Sequence, residues 1–340
     1  MNTARATIRE SDDSFHPATD DPFWNESAWF NFNIPARALN GFVYVYHRPN
    51  MHYSVAGVGL WDPTGADTYD CVHYDFGDTL PLPPDAEMFD FTLANSMTMR
   101  CLQPLRQYHI SFDRNGCQLE LTWTGMMDPF PSGLGDFSTG HYDQSGRVCG
   151  TVAVEGSIYE VDCFSNRDHS WGPRPFVNRP KLDYTWAVAS ERSAFSILAL
   201  GGDVPPSKGY LPTAANDPLR GTVEPIADGW YLRDGQLGSL VSGTTTVTDR
   251  GPDGRPLVIV VDGIDDLGRT LRAAGRAETW LRWPGYQMLT YWTGVRWTFD
   301  SITAWGELQD MFPDQDSRRI FRRHPAANAV RVGEKEATCR

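Results

Sequence analysis

The sequence predicts an all-β protein built as two consecutive antiparallel β-barrel or sandwich domains. Three observations carry the prediction. Short apolar and β-branched stretches alternate with polar residues, tight-turn dipeptides separate them at fairly even spacing, and helical periodicity is scarce before about residue 305. With 340 residues, 41% hydrophobic and 12% aromatic, the chain is long and apolar enough for two packed cores.

Residues 1–20 are polar and acidic and read as a flexible N-terminal tail. The aromatic cluster Phe23–Phe32 is either an opening segment over a barrel end or an early strand. Gly41–Tyr46 and Tyr53–Leu60 flank Pro49-Asn50 as a hairpin. Tyr108–Phe112 and Gln118–Trp123 flank Asn115-Gly116, a strong tight-turn dipeptide, and Val148–Val154 and Ser157–Cys163 flank Glu155-Gly156. Asp128–Gly135 is too rich in proline and glycine for regular structure.

The second half repeats the pattern. Tyr184–Ala189 pairs with Ala194–Leu200, Gly229–Leu232 precedes Asp234-Gly235, and Leu257–Val261 follows Asp253-Gly254. Gln287–Trp292 and Val295–Phe299 read as a last pair closing on Thr293-Gly294, and Trp305–Met311 as a short helical turn. The expected organisation is a tail over 1–20, β domains over 21–165 and 166–322, and a C-terminal tail over 323–340.

Charge and motifs exclude several function classes. Thirty basic against 43 acidic residues give a net charge of −13, which repels nucleic acid and anionic membrane surfaces. No run of about 18 apolar residues occurs to span a membrane. The N-terminus lacks the apolar core of a signal peptide, so a cytoplasmic protein is expected. Six cysteines without C-x-x-C spacing suggest free thiols, and His47 and His52 lack a third ligand at suitable spacing, so no metal is expected. A nucleophile elbow, a phosphate loop and a dinucleotide fingerprint are all missing, so no cofactor is expected.

The densest chemistry is Arg167-Asp168-His169-Ser170-Trp171-Gly172-Pro173-Arg174, near the midpoint. On a strand, Arg167, His169 and Trp171 share one face, and Asp168 and Ser170 share the other. One reading is structural: Asp168 pairs with Arg174, Trp171 is core and His169 is hydrogen-bonded. The other is a site in which imidazole and indole face a ligand.

The run resembles the Asp-His-x-Trp-Gly signature of the lipocalin-like hydratase superfamily, which includes carotenoid hydratases, kievitone hydratases and some decalin-forming Diels–Alder cyclases. Gly140-His141-Tyr142-Asp143-Gln144, the Gly150-Thr151-Val152 hairpin and Trp305-Gly306-Glu307 extend the resemblance to a hydratase-like bacterial branch. It implies two lipocalin-like barrels with a ligand pocket between or within them, covering most of residues 20–320.

Such a pocket suits a cofactor-independent hydratase or dehydratase acting on a small apolar molecule of isoprenoid, steroid-like or aromatic type. Hydrating an alkene needs a strong acid, a stabilised carbocation and a delivered water. A carboxyl kept protonated by desolvation supplies the acid. Asp168 is the first candidate, His169 shares the role or acts as base, and Asp183 is the reserve carboxylate. Trp171, Tyr184 and Trp186 offer aromatic faces worth roughly 0.5–2 kcal/mol each to a cation, and Arg174 and His141 complete the binding set. Asp168 and His169 are adjacent, so a regular strand cannot aim both into one pocket, and Trp171 as companion favours His169 inside. An isomerase or pericyclase and a non-catalytic carrier are the alternatives, and a homodimer stays open.

Overall fold

Residue-level alternation builds two sheets whose faces divide the work. The structure, a computed structural model, describes residues 6–132, 139–175, 181–201, 222–285, 288–314 and 317. The expected C-terminal tail over 323–340, Gly133–Gly135, Gly202 and Gln287 lie outside the described residues.

Twelve strands form the N-terminal sheet: β1 (Trp24–Ile34), β2 (Leu39–Arg48), β3 (Tyr53–Trp61), β4 (His73–Asp75), β5 (Leu80–Pro81), β6 (Phe91–Thr92), β7 (Thr98–Gln103), β8 (Gln107–Arg114), β9 (Cys117–Gly125), β10 (Phe130–Pro131), β11 (Gly140–Val154) and β12 (Ser157–Pro173). Their order is β4-β3-β2-β1-β12-β11-β9-β8-β7-β6, with β5 on β3 and β10 on β11. The long strand β12 lies between β1 and β11 and ties the start of the sheet to its end. Asn115 and Gly116 (φ 52° and 80°), and Glu155 and Gly156 (φ 52° and 73°), make two of the tight turns with both central residues left-handed.

The C-terminal half is a closed eight-stranded antiparallel barrel in simple meander order: β13 (Leu182–Ser190), β14 (Ser193–Leu200), β15 (Thr222–Arg233), β16 (Gln236–Arg250), β17 (Pro256–Asp265), β18 (Thr270–Gly285), β19 (Met288–Phe299) and β20 (Ile302–Pro313). Closure between β13 and β20 leaves the barrel without a free edge. Phe195, Ile197, Val261, Val295 and Trp297 fill its interior. The all-β prediction is met.

Three readings of the sequence differ from the structure. Thr293-Gly294 is not a turn; β19 runs straight through it, because glycine leaves room for Asn40 of β2, whose amide donates to Thr279 Oγ1 at 2.6 Å. Trp305–Met311 is part of β20 rather than a helical turn, alternating between barrel interior (Leu308) and outer wall (Gln309, Met311). Residues 9–16 are not a loose tail. Asp13 is buried against the Tyr108 and Tyr142 hydroxyls and 3.5 Å from the buried Arg167 guanidinium, which tethers the segment to the sheet. The N-terminal sheet extends through Pro173 and the barrel begins at Leu182.

The sheet is buried on both faces where β2, β1, β12 and β11 meet. One face carries its own core, with Phe30, Val43, Tyr108 and Trp123. The other packs on the outside of the barrel through Trp29, Phe42 and Trp61 against Leu281 and Trp292, and through Phe130 against Trp186 and Trp230. Polar ties join the same faces: Asn31 Nδ2 donates to Glu307 Oε2 at 2.6 Å, and Arg282 pairs with Asp67 at 3.2 Å.

Candidate functional site

A cavity of about 170 Å³ lies between these walls, with a mainly apolar lining. Strand register dictates what lines it. On the sheet wall one row runs Tyr44–Trp29–Asp168–Asp143 across β2, β1, β12 and β11, and the next runs Ser27–Ser170–His141. On the barrel wall Leu198–Tyr184–Gln309–Trp292 and Leu182–Met311–Thr290–Trp283 face them, across β14, β13, β20, β19 and β18. All but Asp143 border the cavity directly. Charged and proton-transferring groups are therefore concentrated on the sheet, and the barrel supplies apolar surface with the neutral polar groups of Tyr184, Thr290 and Gln309.

Asp168 is the carboxyl that reaches the cavity. Burial is the largest influence and raises it; the His141 and Arg174 charges pull down and Asp143 pushes up, leaving it at about 6. His141 has Nε2 3.4 Å from Asp143 Oδ1, and Nδ1 has no hydrogen-bond partner among the described residues. Burial disfavours its cation, but the Asp143 carboxylate prevails and the imidazole titrates above its usual 6.5. Tyr184 donates its hydroxyl to Asp143 and receives a hydrogen bond from Asn166 Nδ2 at 2.9 Å, so β13 of the barrel is tied to the sheet's acidic row. Burial keeps that phenol neutral.

Arg174 closes one end. Its guanidinium donates to Ser27 Oγ at 3.1 Å and to Ser170 Oγ at 2.5 Å, which holds it over the second row. Behind Gln309 lies Glu307, which accepts from Asn31 Nδ2 and, at 2.7 Å, from Gln309 Nε2; burial raises it to about 8 despite both bonds.

The sequence-predicted set is thus divided. Asp168, Arg174, Tyr184 and His141 meet at the cavity. His169 and Trp171 do not line it, because alternation sends them, with Arg167, to the opposite face of β12. There His169 Nδ1 donates to the Ser27 carbonyl at 3.0 Å, and Trp171 stacks on His16 with ring centres 3.8 Å apart. The favoured orientation, His169 inward, is reversed for this cavity. Asp183 faces the barrel interior in a fully buried ionic cluster, where it pairs with Lys181, which also meets Asp310 at 2.6 Å; Arg250 pairs with the same Asp310. Trp186 is core beside Phe130 and Trp230.

Sequence reasoning missed Trp29, Tyr44, Trp283, Trp292 and Gln309. The aromatic cluster at residues 23–32 held a local signal for one of them, since its Trp29 lines the wall beside Ser27.

A family profile described as "Domain of unknown function (DUF7064)" matches residues 9–308. The chain belongs to this family. No curated protein matches the sequence. Among solved structures, this DUF7064 chain is similar to kievitone hydratase from Nectria haematococca, with a TM-score of 0.55 over 92% of this chain and 94% of that one, at 9% identity. It is also similar to CghA with Sch210972, with a TM-score of 0.50 over 86% and 89% of the two chains, at 11% identity. At these identities the DUF7064 chain shares their fold, which agrees with the lipocalin-like resemblance carried by Asp168–Gly172.

Proposed function

We propose that the protein is a cofactor-independent lyase that adds water to, or removes it from, a small apolar molecule held between sheet and barrel. The observation that carries this reading is a half-buried carboxyl, Asp168, facing an apolar cavity with an imidazole, His141, on the neighbouring strand. In hydration, protonated Asp168 gives its proton to an alkene carbon, forming the C–H bond and leaving a cation beside the Trp29 and Trp292 rings. Water adds to that cation and surrenders a proton to neutral His141. Dehydration runs the same path backwards: His141 protonates the departing hydroxyl and Asp168 removes the carbon-bound proton. Asp168 thus serves carbon and His141 serves oxygen in both directions.

Cavity size supports a substrate that inserts one ring or a short isoprenoid segment, since an apolar cavity of about 150 Å³ holds benzene. Arg174 favours a second reading. A fixed guanidinium at a cavity wall can hydrogen-bond a substrate carbonyl, as an isomerase or pericyclase would require.

The test is incubation with alkenes and tertiary alcohols of isoprenoid, steroid and aromatic classes in water enriched in heavy oxygen, read by mass spectrometry. Heavy oxygen gained on hydration, or a mass loss of one water on dehydration, is the expected result, and Asp168→Asn lowers turnover by about 10²–10⁴-fold. Product at unchanged mass supports the second reading instead. Ligand retained unaltered by the folded protein overturns both in favour of a carrier.

A further inference from the structure

The face of β12 turned away from the cavity carries its own constellation. Glu26 of β1, His169 of β12 and His16 of the N-terminal segment bring one carboxylate oxygen and two ring nitrogens within 4.8 Å of one another. The side chains of Glu26 and His169 are fully buried and that of His16 nearly so. We propose that these three residues form a binding site for a divalent transition metal, zinc foremost, that staples the N-terminal segment to the sheet.

Geometry supports the assignment. Glu26 Oε2 lies 3.2 Å from His16 Nδ1 and 3.5 Å from His169 Nε2. Ligand atoms of a tetrahedral zinc with bonds of about 2.0–2.1 Å sit about 3.3–3.4 Å apart, so both spacings match edges of that tetrahedron. The 3.5 Å approach is no hydrogen bond, and His169 Nε2 has no hydrogen-bond partner among the described residues although it is buried. Because Nδ1 faces the Ser27 carbonyl at 3.0 Å, it must carry the ring proton, which leaves the Nε2 lone pair aimed at Glu26.

Outer contacts are those a metal site needs. The Ser27 carbonyl orients His169, and Asp12 lies 3.6 Å from His16 Nε2 on the ring edge away from Glu26. Glu26 Oε1 accepts from the His16 backbone N–H at 2.9 Å and from Trp24 Nε1 at 3.4 Å, while Oε2 faces His16 Nδ1 at 3.2 Å, a contact in which a metal would take the place of the ring proton. Trp171 fixes the His16 ring by stacking at an interplanar angle of 7°. Two histidines and a glutamate are a recognised zinc set, with water as fourth ligand. No spacing motif announces it, because the ligands come from positions 16, 26 and 169.

Equilibrium dialysis of the full chain against Zn²⁺ alone, with metal quantified in the protein, tests the site, and Co²⁺ supplies visible d–d absorption as a second readout. The expected result is one equivalent of zinc bound, a raised melting temperature with zinc, and a Co²⁺ spectrum of four- or five-coordinate type. His16→Ala and Glu26→Gln each weaken binding at least tenfold while circular dichroism stays unchanged; His16, in the segment outside the sheet, is the variant least able to disturb folding. Failure to retain zinc, or equal retention by wild type and the His16→Ala variant, overturns the proposal and leaves the three side chains as a buried polar contact. Neither outcome bears on the cavity chemistry, which uses the other face of β12.

Discussion

Asp168 and His141 respond to the same neighbour, and that makes their roles separable by pH. The Asp143 carboxylate adds to the burial that lifts Asp168 to about 6, and it holds His141 above its usual 6.5 against burial. Dehydration needs Asp168 ionised and His141 protonated, so kcat/KM rises through about pH 6 and falls as His141 loses its proton at higher pH. In Asp143→Asn both limbs move to lower pH, since the variant removes the charge that raised each group; limbs that stay in place would remove this pair from the chemistry. Glu307 gives a stability test at the same scale. Its folded-state value, about 8, exceeds the ordinary 4.5, so its favourable contribution is complete below pH 4.5 and is lost as pH rises to about 8. Glu307→Gln keeps the shape without the ionisation. The variant therefore gains stability relative to wild type between pH 4.5 and 8, by on the order of a few kcal/mol at the alkaline end. Melting temperatures recorded across that range check it, and a constant difference would contradict the assigned cause.

At the scale of elements, strands and tight turns were legible because their signals are local. Asn115-Gly116 and Glu155-Gly156 each demand two left-handed residues, and the chain turns at both. The face of β12 was not legible. Alternation separates Asp168 from His169, but β12 is buried on both sides, so periodicity cannot say which side holds the cavity. Asp183 fails for a related reason: the Lys181 it pairs with is shared with Glu224 and Asp310, and Asp310 with Arg250, a cluster that gathers only when the barrel closes. Gly294 shows a local signal overridden by docking. Thr293-Gly294 has the composition of a turn, yet the glycine serves the close approach of Asn40 to β19. Gly294→Ala places a methyl where Asn40 Nδ2 and Thr279 Oγ1 already sit, which should cost about 1–3 kcal/mol. Chemical denaturation measures that cost, and Asn40→Ala in the same chain should recover part of it. Strict additivity of the two substitutions would mean that the crowding is not between these residues.

The whole molecule makes its cavity from two surfaces that each also serve as a docking face. Trp292 of the barrel packs on Phe42 with ring centres 4.5 Å apart, on Trp29 at 5.0 Å and on Trp283 at 5.0 Å, and it also borders the cavity. Trp297, five residues further along β19 and so on its opposite face by strand alternation, packs on Phe195 inside the barrel with ring centres 5.3 Å apart. Removing either indole should cost about 3–5 kcal/mol, so stability alone does not distinguish them. Function and cooperativity do. Trp292→Ala strips apolar surface from both the ligand and the junction of the halves, so KM rises and urea unfolding separates into two transitions when followed by a sheet probe and a barrel probe. Trp297→Ala weakens the barrel core but leaves both cavity walls in place, so KM holds in the folded protein. If Trp292→Ala unfolds in one coincident transition with wild-type KM, the wall neither binds the ligand nor couples the two halves, and the cavity between them loses its claim to be the site.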